Sequence, residues 1–431
     1  MYRKIMDYLK EWKHSEHRKP LILQGARQVG KTYSILEFGR TCYENVAYFN
    51  FETNPKLNET FAENISPDYL IPILSHIAGQ TIIREKTLIV FDEVQLCERA
   101  LTSLKYFCED APEYHIIVAG SLLGVAVNRT RFSFPVGKVD MKTLYPMDME
   151  EFMLAMGEEQ LVELIKKCFQ TDTPMPAALH DAAMQLYRQY LVVGGMPECV
   201  MQFIQTKDYI LVRNTQNTIL ASYLNDMSKY NNLSEIKKTR LAYDNITVQL
   251  SKKNTRFQYK LIKKGGRASE FENAIEWLCL SGIVSQVYKV EQVKKPLENY
   301  RDIDAFKIYV SDLGLLCAKK ELLANDILYM VKELDDFKGG MAENYVNVQL
   351  SINGYHTYYW ESARGAEIDF VIQREGKLIP IEVKSADNTR AKSLKVYMDT
   401  YEPDYAIKLS AKNFAFEDRK KIVPLYAAFC I

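Results

Sequence analysis

Two constellations in this chain of 431 residues combine residue types and spacings that could do chemistry. The first is Gly25-Ala26-Arg27-Gln28-Val29-Gly30-Lys31-Thr32. Its glycines let the backbone curl tightly and aim successive N–H groups at phosphate oxygens, an approach that a Cβ would obstruct. In this reading Gly25, Gln28, Val29 and Gly30 form the cradle, Lys31 reaches the β and γ phosphates, and the Thr32 hydroxyl ligates Mg²⁺. A second element is needed, and the apolar run Thr87 to Phe91 supplies it by ending in Asp92-Glu93. Asp92 is placed to hold Mg²⁺, mostly through water, while Glu93 points elsewhere and can orient and deprotonate an attacking water. The run Ile116 to Ala119 ends in Gly120-Ser121, which makes Ser121 a γ-phosphate sensor at the same edge. The expected ligands are ATP and Mg²⁺, and hydrolysis suits the Asp92-Glu93 pair better than phosphate transfer to a small molecule.

The second constellation is Glu343, Asp369, Glu382 and Lys384. If Glu375-Gly376 is the two-residue turn of a hairpin, counting back from it sets Asp369 directly across from Glu382. Lys384 then shares their face, and Phe370, Ile381 and Val383 point to the other side. Opposed carboxylates at ~5 Å between Cβ atoms repel one another unless a cation sits between them, and Mg²⁺ or Mn²⁺ is the natural occupant. The competing reading is a structural hairpin whose acid pair Lys384 partly neutralises.

The elements that must position these residues can be read from the pattern around them. Pro20 to Gln24 is a short apolar strand that runs into the glycine loop, and Ile35, Leu36 and Phe38 continue as a helix. Ala47 to Phe51 and Lys142 to Tyr145 read as further strands, so a doubly wound parallel sheet extends to about Gly157. Leu161 to Tyr230 has helical periodicity broken at Pro174, Pro176 and Gly194-Gly195, as a small bundle acting as a lid would. From Ser251 to Arg267 the chain carries seven basic residues and no acid, interleaved with Phe257 and Tyr259. This is the one clear basic patch, a candidate contact for DNA, with a protein-binding surface or a plain solvated face as the other readings. Net charge is zero, so no global field steers the protein to nucleic acid or an anionic membrane. Eight scattered cysteines without a C-x-x-C pair, and no long apolar run, point to a reducing cytoplasm. His14 and His17 could face one another as a metal pair, though a solvated helix face explains them more simply.

The order of the Gly25 loop, the Leu88-to-Glu93 strand, Gly120-Ser121, Phe134-Pro135-Val136-Gly137-Lys138, Leu144-Tyr145-Pro146 and Glu150-Glu151-Phe152 resembles a prokaryotic family of AAA-type ATPases. Gly194-Gly195-Met196-Pro197-Glu198 matches that family's Gly-Gly-x-Pro-Glu motif. The resemblance implies a P-loop NTPase core over residues 1–157, a helical lid over 158–235, a winged-helix segment over 236–335 and a restriction-endonuclease-like α/β domain over 336–431. It further implies that Asp369, Glu382 and the helix acid Glu343 bind a metal as in PD-(D/E)XK nucleases, with Lys384 activating the attacking water. Lys138 stands where the family pattern leads one to expect arginine, leaving Arg129 and Arg131 as substitutes for an arginine finger. The leading expectation is therefore an ATP-dependent DNA-processing or defence factor. The alternative is an ATP-gated switch whose C-terminal domain binds a partner without cutting.

Overall fold

Leu21–Gln24 (β1) is an apolar strand buried on both faces, and in the computed structural model it lies inside a parallel sheet. The structure describes residues 1–120, 134–229, 233–250, 256–385 and 392–431. These form two compact units, Met1–Tyr145 with Leu280–Gly282, and Pro146–Cys279 with Ile283–Ile431.

In the first unit, Ile5–His14 (α1) buries Ile5, Leu9 and Trp12 at helical spacing. After β1 come Lys31–Cys42 (α2), Asn45–Asn50 (β2), Leu57–Glu63 (α3), Pro67–Ala78 (α4), Thr87–Asp92 (β3), Glu98–Asp110 (α5), His115–Ala119 (β4) and Asp140–Thr143 (β5). The sheet order is β2-β3-β4-β1-β5, and every pairing is parallel. β3 and β4 are buried throughout, as central parallel strands covered on both faces must be. β5 lies two residues earlier than its apolar residues suggest. It is an edge strand, so Asp140 and Lys142 are tolerated in it while Leu144 closes the pairing through its N–H to the Gln24 carbonyl. The core clusters aromatic rings, with Phe61 edge-on to Phe91 at 5.5 Å between centroids. Each such ring contributes roughly 2 kcal/mol through burial.

The second unit begins with helices, among them Met149–Ala155, Ala177–Val193, Pro197–Thr206 and Tyr209–Lys229. Asp148 and Glu151 form a capping box on the first of these. An eight-stranded mixed sheet follows, built from Val284–Val290 (β6), Arg301–Val310 (β7), Tyr358–Glu361 (β8), Glu367–Arg374 (β9), Lys377–Val383 (β10), Ala406–Ser410 (β11), Ala415–Glu417 (β12) and Lys420–Pro424 (β13). Its order is β12-β13-β11-β10-β9-β8-β6-β7. The β6–β7 hairpin, expected as part of a separate winged-helix segment, instead extends the same sheet as the C-terminal strands through parallel pairing of β6 with β8. Period-two apolar patterning specifies a strand but not which sheet adopts it.

Turn chemistry fixes the β9–β10 hairpin. Glu375 and Gly376 both have positive φ, as a two-residue primed turn requires. Register runs from Lys377↔Arg374 to Ile381↔Phe370, the pairing expected from the turn, and stops one pair before Glu382 and Asp369. There the Val383 N–H donates to Asp369 Oδ2 at 2.7 Å instead.

Candidate functional site

The loop after β1 takes its shape from backbone demands. Gly25 has φ +144°, and a Cβ there would lie 2.1 Å from the Leu144 carbonyl oxygen, so no side chain fits. Gly30, with φ +92°, is the N-cap of α2 and leaves the first-turn N–H groups without a capping side chain. That is the arrangement an anion can occupy. Gln28 is also left-handed, and Val29 is fully buried. Arg3 clamps the loop from outside, donating to the Val29 carbonyl at 2.9 Å and to the Tyr145 carbonyl at 2.7 Å.

Lys31 opens α2 and is buried, with Nζ donating to the carbonyls of Gly25 at 2.9 Å and Ala26 at 2.8 Å. Burial pulls its ammonium down to about 8, against the upward pull of Glu93 and Asp92. The Thr32 hydroxyl donates to Asp92 Oδ2 at 2.9 Å across 60 residues of chain, because β1 and β3 bring both residues to the same edge of the sheet. Tyr48 donates to the same oxygen at 2.8 Å. Glu93 sits in the left-handed region at φ +52°. Its carboxyl is raised, chiefly by burial, while a hydrogen bond from Gln95 opposes the shift. Thr32 and Asp92 present hard oxygens of the kind Mg²⁺ selects, so these residues fit that ion. Ser121, Arg129 and Arg131 lie outside the described residues. Lys138 pairs with Glu109 at 2.9 Å.

The carboxylates of the second unit are engaged differently from the expectation. Lys307 of β7, 1% exposed, pairs with Glu343 at 3.4 Å and also with Glu367. Burial pulls its ammonium down, but Glu343, Glu367 and Asp369 outweigh burial and hold it well above its ordinary value. Glu343 also accepts from the Tyr309 hydroxyl at 3.0 Å. Lys384 reaches Glu382 Oε1 at 2.9 Å, and Glu382 Oε2 is buried without a hydrogen-bond partner. Asp369 is raised by burial first and by Glu343 second. Among the described residues no group of three or more His, Cys, Asp or Glu is arranged to hold a metal ion. Each of Glu343, Asp369 and Glu382 has an ammonium or a backbone N–H as a partner, while Glu382 Oε2 is left without one.

The basic stretch is likewise split. Arg256, Lys260, Lys263, Lys264 and Arg267 are exposed, and Lys252 and Lys253 lie outside the described residues. Phe257 is buried and stacks on Phe306 at 5.5 Å, so it is a core ring and not a platform for bases. Lys263 pairs with Glu270 at 3.2 Å. Arg3, Tyr48 and Gln95 in the first unit, and Lys307, Tyr309 and Glu367 in the second, were not anticipated from the sequence. For Tyr48 a signal existed, since it stands two residues before Asn50, the register partner of Asp92.

Residues 17–153 match the family model described as an AAA domain. This segment is similar to an AAA domain. Residues 184–326 match a domain of unknown function (DUF8612), and residues 338–428 match another (DUF4143). Among solved structures the chain is similar to the Walker-type ATPase of Pyrococcus abyssi at 14% identity, covering 74% of this chain and 95% of that one, with a TM-score of 0.45. It is also similar to the Aeropyrum pernix ORC1 protein in complex with DNA, at 13% identity over 74% and 91% of the two chains and a TM-score of 0.29. A third is the Thermotoga maritima RuvB Holliday junction branch migration motor, at 15% identity over 65% and 87% and a TM-score of 0.28. None of these three scores reaches 0.5, so function rests on the residues of the chain itself. A search of curated proteins finds no match. No helix among the described residues is long and apolar enough to cross a membrane.

Proposed function

We propose that the chain binds Mg²⁺-ATP between the Gly25–Thr32 cradle and Asp92, and hydrolyses it with Glu93 as general base. The observation that carries this reading is the 2.9 Å contact of Thr32 with Asp92, which joins the phosphate loop and the acidic strand end into one site. Lys31 and the α2 N-terminus would neutralise the phosphates, and Thr32 and Asp92 would hold Mg²⁺, whose charge stabilises the leaving phosphate oxygens when bound. Glu93, raised by burial, is a better proton acceptor than an exposed carboxylate. Glu93→Gln should leave ATP binding within about twofold and slow turnover by about a hundredfold or more, since the amide keeps the shape and loses the base. Turnover at the wild-type rate would move the base elsewhere.

For the second unit a specific observation favours the alternative of a scaffold that binds a partner without cutting. Lys307 lies buried against Glu343, the helix acid of the expected metal set, and against Glu367. In this reading the nucleotide state of the first unit gates what the second unit binds, and the exposed basic residues near Arg267 are its contact with DNA or with an acidic protein. The decisive measurement is a thermal scan with Mn²⁺ in a Lys31→Ala, Asp92→Ala background, which removes the nucleotide site as a source of metal binding. The scaffold reading expects no shift. A rise in melting temperature that Asp369→Asn abolishes would restore the metal-dependent nuclease.

A further inference from the structure

The second unit also holds a cavity of about 430 Å³, whose lining includes Ser385, the residue after Lys384. That is the size of a site for a small organic molecule. Met184, Leu191, Met341 and Leu425 give it apolar walls, and two of these are methionines, which adapt to an irregular guest. Its charged groups are unevenly satisfied. Lys338 and Asp335 neutralise one another at 2.6 Å, and Lys338 also donates to the Met330 carbonyl at 2.8 Å. Arg188 is different. It projects from the Ala177–Val193 helix into the same cavity, and its Nε is buried with no hydrogen-bond partner among the described residues.

A buried guanidinium nitrogen without an acceptor is costly, and the complement that best relieves it is a planar or tetrahedral oxyanion gripped by the fork. Ser385, in the same wall, offers a hydroxyl as a second donor. We propose that this cavity binds an amphiphilic anion, with a carboxylate or phosphate monoester head on Arg188 and an apolar body against Met184, Leu191, Met341 and Leu425. The site stands apart from the ATP reading, since every residue of it belongs to the second unit.

Calorimetric titrations of the full-length Lys31→Ala protein, in which the phosphate loop is disabled, test it with phenyl phosphate, octanoate and, as a neutral counterpart, hexanol. At least one anion binds, hexanol binds more weakly, and Arg188→Met weakens the anion by about tenfold or more while leaving hexanol unchanged. Ala342→Leu narrows the cavity at another lining position, keeps the guanidinium and abolishes binding. Binding of phenyl phosphate alone assigns a phosphate head, and binding of octanoate alone assigns a carboxylate. If Arg188→Met fails to fold by circular dichroism, Arg188→Lys, which keeps the charge and loses the fork, shows the same weakening to a smaller degree. Binding of neither anion, or equal anion affinity in parent, Arg188 variant and Ala342→Leu, overturns the proposal.

Discussion

Lys31 shows how much a single buried cation can report. With Nζ held by the Gly25 and Ala26 carbonyls and its ammonium pulled down to about 8, it spends part of the accessible pH range neutral. Triphosphate beside it would restore the charge, so nucleotide binding above pH 8 must take up a proton. The expected outcome is an affinity for ATP that weakens by about tenfold per pH unit between pH 8 and 10. Calorimetry at pH 9 in two buffers of different ionisation enthalpy should find close to one proton taken up per ATP. Lys31→Ala should bind ATP at least about a hundredfold more weakly at neutral pH, with no such proton uptake. Uptake that persists in the variant would assign the proton to another group.

At the scale of elements, the Gly-Gly turn after the Ala177–Val193 helix is decided by close approach. A Cβ on Gly194 would lie 2.3 Å from Asp312 Oδ1, and one on Gly195 would lie 2.0 Å from the Met147 carbonyl oxygen. The turn exists to bring Asp312 onto the Gly195 N–H at 2.6 Å, while the same carboxylate caps the Leu313–Lys319 helix through the Leu315 N–H at 2.8 Å. Gly195→Ala should therefore cost about 3 kcal/mol or more in urea unfolding, because the obstacle is backbone and cannot rotate away. Gly354→Ala is the control. Gly354 has φ +85°, which Gly195 does not share, but nothing lies within 4 Å of its Cβ, so about 1 kcal/mol is expected. Equal costs at the two positions would mean that the close approach of the Met147 carbonyl does not govern Gly195.

Across the whole molecule, the two units should answer acid in opposite directions. His115 of the first unit is buried between Trp12 and Tyr43, with Nδ1 bonded to the Tyr43 hydroxyl at 2.7 Å, and burial pulls it down to about 3. It stays neutral when folded and charges on unfolding, so its contribution is whole above pH 6.5 and is lost as pH falls toward 3. Asp312 of the second unit is pushed up to about 6 by burial, against its backbone hydrogen bonds. The folded state holds that proton more tightly, so the penalty is full above pH 6 and is relieved as pH falls toward 4. Scanning calorimetry from pH 7 to pH 4.5 should show the transition of the first unit falling and that of the second holding or rising. His115→Gln should flatten the first dependence and Asp312→Asn the second. A common shift of both transitions in the variants would mean that the units unfold as one.

The nucleotide loop was legible in the chain because its chemistry is local: eight consecutive residues carry the glycines, the lysine and the hydroxyl, and a backbone cradle needs little else. The β9–β10 register was legible for a similar reason, since a two-residue turn dictates every pair that follows it. The partners that meet across the fold were not. Tyr48 reaches Asp92 only after β2 and β3 become neighbours in a sheet, and Arg3 reaches Val29, and Lys307 reaches Glu343 and Glu367, only once separate segments of the chain pack together. The same applies to β6 and β7, whose alternation marks them as strands but leaves open the sheet they join. Lys307 shows the consequence most plainly. The spacing of Asp369, Glu382 and Lys384 is compatible with a metal or with a structural ion pair, and the ammonium that pairs with Glu343 comes from β7, a strand that the hairpin motif does not include. Local backbone geometry is written in neighbouring residues, whereas the charge that occupies a buried site is written in the topology that closes around it.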